Sequence, residues 1–270
     1  MPKDAKRQPA LFLPHGGGPC FFMDWTWGPA NTWHKTRRFL EGVAGTLPES
    51  PKALLVVSGH WDEPAFTASA AVKPQLIFDY SGFPEDTYRL TWPAPGDPEL
   101  AAGVNGLLTQ AGLPAAMSAS RGFDHGVFVP LKVAFPEAQI PVVTLSLAGS
   151  LDPALHLAAG KALAPLRDEG VLIVGSGMSF HNLRGYFQPD TVERARAFDA
   201  WLTHAVESPE AERNALLMAW RKAPFAAYAH PREEHLIPLM VAAGAGGDAA
   251  GQRIFNDEPM GAAISAYRFD

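Results

Sequence analysis

Five of the nine histidines stand where apolar runs stop, beside glycine or another turn-compatible residue. His15 follows Leu11-Phe12-Leu13-Pro14 and precedes Gly16-Gly17-Gly18. His60 follows Leu54-Leu55-Val56-Val57-Ser58-Gly59. His125 lies between Asp124 and Gly126. His181 follows Val171-Leu172-Ile173-Val174 through Gly175-Ser176-Gly177, and His235 follows Glu233-Glu234. An imidazole is a neutral ligand for zinc, copper, iron or nickel, and it exchanges protons near neutral pH. Histidines gathered at strand ends are therefore candidates for one metal centre with acid/base groups beside it. Glu234 is an alternative to His235 as a ligand.

Other chemistries find less support. Gly175-Ser176-Gly177 is not the Gly-x-Ser-x-Gly of a nucleophile elbow. The glycines after His15 are not followed by the Lys-Ser/Thr of a phosphate loop, and no histidine pair has the spacing of a zincin helix. Cys20, the one cysteine, reads as a small buried hydrophobe. A single thiol forms no internal disulfide, and with no apolar signal core or 18-residue apolar run the chain reads as cytoplasmic. Its net charge of −6 argues against nucleic-acid and anionic-membrane partners.

The elements that must position these side chains alternate. Continuous apolar runs at 10–14, 53–58, 141–147 and 171–175 read as strands covered on both faces. Phe66 to Ala70 is a further strand able to pair beside 53–58. Helical spacing is seen at 33–47, 98–112, 152–166 and 190–206, with a short helix at 129–135 and a last major helix from Pro231. Residues 75–98 hold too many prolines for a helix and too many aromatics for a solvated loop. They read as an ordered cover, with Tyr80, Phe83 and Trp92, together with Trp25 and Trp27, as candidate pocket walls. His34, His156 and His204 read as surface histidines and His230 as an N-cap candidate. Length and rhythm predict one α/β domain, 1–270, with helices on both faces of a mixed, mostly parallel sheet.

The segments around the five histidines resemble the class III extradiol ring-cleavage dioxygenases of the DOPA 4,5-dioxygenase-like group. The likeness runs in order through residues 11–19, 51–61, 78–96, 124–131, 140–147, 175–184 and 230–239. It includes Phe78-Asp79-Tyr80-Ser81-Gly82-Phe83-Pro84, Tyr88 and Pro93-Ala94-Pro95-Gly96. It implies a three-layer α/β/α domain with a mononuclear divalent metal, Fe(II) for activity and Zn(II) as a possible occupant. His15, His60 and His235 are the implied ligands. His181 is implied as acid/base or conditional fourth ligand, and His125 as a hydrogen-bond donor beside the oxygen site. The implied reaction opens a catechol, DOPA-like or a related catecholic acid, with O2 to a muconic semialdehyde. A zinc-dependent hydrolase and a non-enzymatic metal-binding module are the competing readings. Arg184 is a candidate partner for a substrate carboxylate.

Overall fold

The computed structural model describes residues 6–270. Eight strands form one sheet: β1 (Ala10–Pro14), β2 (Ala53–Glu63), β3 (Phe66–Ser69), β4 (Ala115–Ser118), β5 (Val142–Ala148), β6 (Val171–Gly177), β7 (Gln252–Asp257) and β8 (Ile264–Phe269). Their order is β4-β3-β5-β2-β6-β1-β8-β7. The centre, β5-β2-β6-β1, is all parallel, while β3/β5, β1/β8 and β7/β8 are antiparallel. The predicted mixed, mostly parallel sheet is thus the observed one.

The central strands are central because they are apolar on both faces. Leu54, Leu55, Val56 and Val57 are all fully buried, and burying each such side chain contributes about 1.5–3 kcal/mol. The helices are α1 (His34–Gly42), α2 (Pro98–Gln110), α3 (His125–Ala134), α4 (Pro153–Leu163), α5 (Thr191–Glu207), α6 (Glu210–Met218), α7 (Ala226–Ala229) and α8 (Ile237–Gly246). Two starts are written in sequence: Asp97 and Asp152 accept from Leu100 N and Ala154 N, each at 2.9 Å, with proline in the first turn. Adjacent residues of β6 mark the two faces. Gly175 meets the Pro238 carbonyl of α8, whereas the Ser176 hydroxyl donates to the Gly126 carbonyl of α3. Helices therefore cover both sides, giving three layers.

Several expectations are corrected. β3 pairs with β5 and β4 rather than with β2, because β5 takes the place beside β2. The helix expected at 129–135 begins at His125, and the helix expected at Pro231 begins at Ile237. Residues 230–236 are instead a turn that carries His235. His156 is not on the surface. It is fully buried, its Nδ1–H donating to Asp152 O at 2.7 Å while Nε2 accepts from Ala148 N at 3.2 Å. His230 is also buried and bonds the Ser179 carbonyl at 3.0 Å instead of capping a helix. His34 and His204 are exposed, as predicted.

Candidate metal centre and active site

The parallel strands β1, β6 and β2 end on one edge of the sheet, with Pro14 opposite Gly177 and Ser58 opposite Ser176. Such edges are where open α/β sheets build their sites. β1 delivers His15. β2 delivers His60, but not at its terminus, since the strand runs on to Glu63. Between Val57 and Asp62 its register against β5 is interrupted, and such irregularities re-aim side chains. The Ser58 hydroxyl accepts from His60 N at 3.2 Å and donates to Asp124 at 2.7 Å, which fixes this stretch. β6 leads to His181, and α3 presents His125 in its first turn. The turn before α8 brings His235 up against β6, where His235 O accepts from Met178 N at 3.0 Å. A side chain at Gly177 would meet that carbonyl at 2.1 Å, so only glycine admits this approach.

The five rings form one cluster. Centroid separations are 4.9 Å for His15–His60, 5.1 Å for His15–His235, 4.6 Å for His60–His235, 3.9 Å for His60–His125 and 3.4 Å for the stacked pair His181–His235. Three of the rings are oriented by acceptors at Nδ1. His15 Nδ1–H donates to Gly16 O at 2.9 Å, and His235 Nδ1–H to Glu234 Oε1 at 2.9 Å, while His60 Nδ1 lies 3.4 Å from Asp79 Oδ2. A carbonyl or carboxylate can only accept, so in His15 and His235 the proton is on Nδ1 and Nε2 keeps its lone pair, and Asp79 favours the same tautomer in His60.

Those lone pairs converge. Nε2 of His15 is buried with no hydrogen-bond partner, and Nε2 of His60 and His235 face each other at 3.1 Å. One ligand atom from each of the three residues lies within 4.8 Å of the others. One proton between these two nitrogens would satisfy them as a hydrogen bond, and the same spacing is what two ligands take at about 2.1 Å from one cation. Burial holds His15 and His235 well below the ordinary histidine pKa, helped by neighbouring imidazoles. Burial and the nearby His125 push His60 down to about 3 against the pull of Asp79. The donor set therefore fits a divalent cation.

Two carboxylates hold the set. Burial alone would raise Asp79, but bonds from His125 and the charges of His125 and His60 bring it to about 2. Its Oδ1 accepts from both the backbone N–H (2.9 Å) and Nδ1–H (2.8 Å) of His125, which ties the 75–98 segment to the first turn of α3. Burial also opposes ionisation of Glu234, yet bonds to His181 and the backbone, with Arg232 nearby, keep it below the usual range. Its Oε1 lies 3.5 Å from His181 Nδ1. Glu234 thus faces the Nδ1 side of His235, away from the point where the three Nε2 atoms meet. The sequence reading missed Asp79. Its signals were an isolated acid in an aromatic, proline-rich stretch and its place in the Phe78–Pro84 motif that carries the resemblance. Asp62, two residues beyond His60, pairs with Arg232 at 2.5 Å.

Residues 9–269 match the family described as the catalytic LigB subunit of aromatic ring-opening dioxygenase. The chain belongs to the LigB family. It is an aromatic ring-opening dioxygenase of the class III extradiol type. The chain is 36% identical to Dioxygenase tasH of Hapsidospora irregularis over 96% of this chain and 84% of that protein. It is 38% identical to the 4,5-DOPA dioxygenase extradiol of Beta vulgaris over 87% of this chain and 89% of that one. Its fold is that of an uncharacterized protein from Escherichia coli K12, at 28% identity and a TM-score of 0.79. That match covers 98% of this chain and 100% of the other.

Above the histidines of this LigB-family chain lies a cavity of about 500 Å³. His15, His60, His125 and His181 form its polar floor. Four of the five predicted wall residues, Trp25, Trp27, Tyr80 and Phe83, line it. Trp92 does not: it faces a different recess, and its indole N–H donates to Phe135 O at 3.0 Å. Among the described residues no helix is long and apolar enough to cross a membrane.

Proposed function

We propose that this enzyme opens the ring of a catechol beside its diol, with O2, at one divalent metal held by Nε2 of His15, His60 and His235. The observation that supports this reading most is the convergence of three Nδ1-anchored imidazoles on one point. The whole chain, 1–270, acts as one catalytic unit. In this reading Glu234 orients His235 and is not itself a ligand. Ferrous iron, when bound, supplies the electron transfer that lets a closed-shell catechol react with O2. Zn(II) suits the same nitrogens but has no redox chemistry.

The chain's own residues then move protons and shape the pocket. His181 lines the cavity with its Nδ1 near Glu234, so its other nitrogen is free to take a proton from a substrate hydroxyl and return it as the ring opens. Without substrate it can serve as a fourth ligand. His125 has Nδ1 fixed by Asp79, which leaves Nε2 as the end that can hydrogen-bond an oxygen in the cavity. The aromatic walls exclude water and stack on the ring of the substrate. DOPA and related catecholic acids are the substrates that the relatives' names suggest, and the product is a muconic semialdehyde. The reading places the enzyme in the cytoplasm, where the single buried thiol of Cys20 stays reduced.

The test is anaerobic loading with Fe(II), followed by a panel of catechols and then O2. A yellow semialdehyde formed with matching O2 uptake is expected. Iron-loaded protein that forms no product from any catechol would overturn the reading.

A further inference from the structure

We propose that the preferred substrate is a neutral catechol carrying a bulky apolar extension, rather than a catecholic acid. This rests on the ring-cleavage reading above and departs from the catecholic acids that the relatives' names suggest. The walls and mouth of the cavity carry the argument. Among the described residues, no lysine or arginine lines it. Above the histidine floor the lining is mostly aromatic and aliphatic, with Ser81 and glycine backbone, and Asp79 is its one acid. A carboxylate carried on the substrate's extension, away from the histidine floor, loses its hydration and finds no lysine or arginine to pair with along these walls. Arginines near the floor are turned away from it: Arg121, beside the His60 carbonyl, pairs with the buried Asp124 at 2.7 Å. Arg184 and Arg232 line an adjoining recess that shares His181 and Leu183 with the cavity, and Arg232 is already paired with Asp62. Arg184, the candidate partner for a substrate carboxylate, is not among the residues that line this cavity.

Size and rim point the same way. At about 500 Å³ the cavity is in the range that encloses a drug-sized ligand and far exceeds one catechol ring. Seven large hydrophobic residues are exposed among those described, and three of them, Trp27, Leu183 and Phe187, gather at this one mouth. Leu183 is 72% and Phe187 61% exposed. Phe187 also takes a left-handed backbone conformation, φ 65°, which is costly for a bulky residue. Exposed apolar side chains concentrated at a cavity mouth mark a surface meant to be covered. A substrate long enough to reach from the histidine floor to this rim would cover it.

The test compares four substrates on the iron-loaded enzyme: methylcatechol and butylcatechol, with the chain para to one hydroxyl, then dihydrocaffeate and DOPA. kcat/KM is expected to rise roughly threefold to fourfold for each methylene buried between methylcatechol and butylcatechol. Dihydrocaffeate, similar in length to butylcatechol but charged, is expected to fall about tenfold or more below it. Either acid matching or exceeding butylcatechol overturns the proposal. If none of the four is cleaved, the ring-cleavage reading fails, and binding still decides the pocket. Trp25, Trp27 and Trp33 line the cavity, so tryptophan fluorescence of the iron-free protein under anaerobic conditions reports occupancy. Tighter quenching by butylcatechol than by dihydrocaffeate is expected, and the reverse order overturns the proposal. Leu183→Arg, at an exposed position that spares the fold, is expected to shift the ratio several-fold toward dihydrocaffeate. An unchanged ratio overturns the role of this rim.

Discussion

At the scale of residues, one nitrogen of each of three imidazoles faces an acceptor so that the other is left free, and in the proposed reading these free nitrogens hold the metal. Asp79 and Glu234 are the acceptors for His60 and His235, and the Gly16 carbonyl is the acceptor for His15. Removing such an orienting carboxylate usually weakens metal binding about 10–100-fold. Asp79→Asn is expected to behave so in a chelator competition with Zn(II); unchanged affinity would remove Asp79 from the site. His181→Ala is expected to keep its metal by elemental analysis while losing roughly 10²–10⁴ in turnover. His156 makes a separate prediction about stability. Burial lowers its pKa to about 4 from 6.5, so the unfolded chain binds its proton first as pH falls. The stabilisation is full above pH 6.5 and is lost between there and about pH 4, a change of roughly 3 kcal/mol. Urea unfolding across that window should show a flatter profile for His156→Gln than for the natural chain.

At the scale of elements, the buried strands were plain in the sequence because each is apolar on both faces. The runs at 10–14, 53–58, 141–147 and 171–175 became β1, β2, β5 and β6 with ends displaced by a few residues. The strands β4, β7 and β8 were not anticipated. β4 and β7 are edge strands with partly exposed residues, so their pattern is weak, and β8 is buried by its partners rather than marked by a long apolar run. The start of α8 was misplaced because Pro231 looks like a first-turn proline, whereas Pro238 fills that position. The turn this leaves is what lets His235 reach the sheet edge. Gly177→Ala places a methyl against the His235 carbonyl. It is expected to cost about 1–3 kcal/mol by overpacking and to reduce metal content. A variant with full metal occupancy would show that this close approach does not position His235.

At the scale of the whole molecule, a metal that binds only the folded chain must stabilise it. Ligand at about 100 times its Kd adds roughly 2.7 kcal/mol, or on the order of 5–10 °C in the unfolding midpoint for a chain of this size. Added Fe(II) or Zn(II) is expected to raise the midpoint by that much, a chelator to reverse it, and His15→Ala to abolish it. A shift that survives in His15→Ala would place the metal elsewhere.

The sequence by itself determined the α/β class, the central strands and the five histidines, because burial pattern and residue type are local properties. Resemblance to known ring-cleaving enzymes supplied their expected roles. Only the tertiary structure decided which nitrogens converge, that Asp79 reaches His60 and His125 from a distant loop, and that Glu234 turns to the far side of His235. It also decided that Arg184 lines an adjoining recess and not the cavity above the histidines. These depend on contacts between segments far apart in the chain, such as residues 79 and 125 or 60 and 235. Distances of that kind are set by how the layers pack, and no local pattern records them.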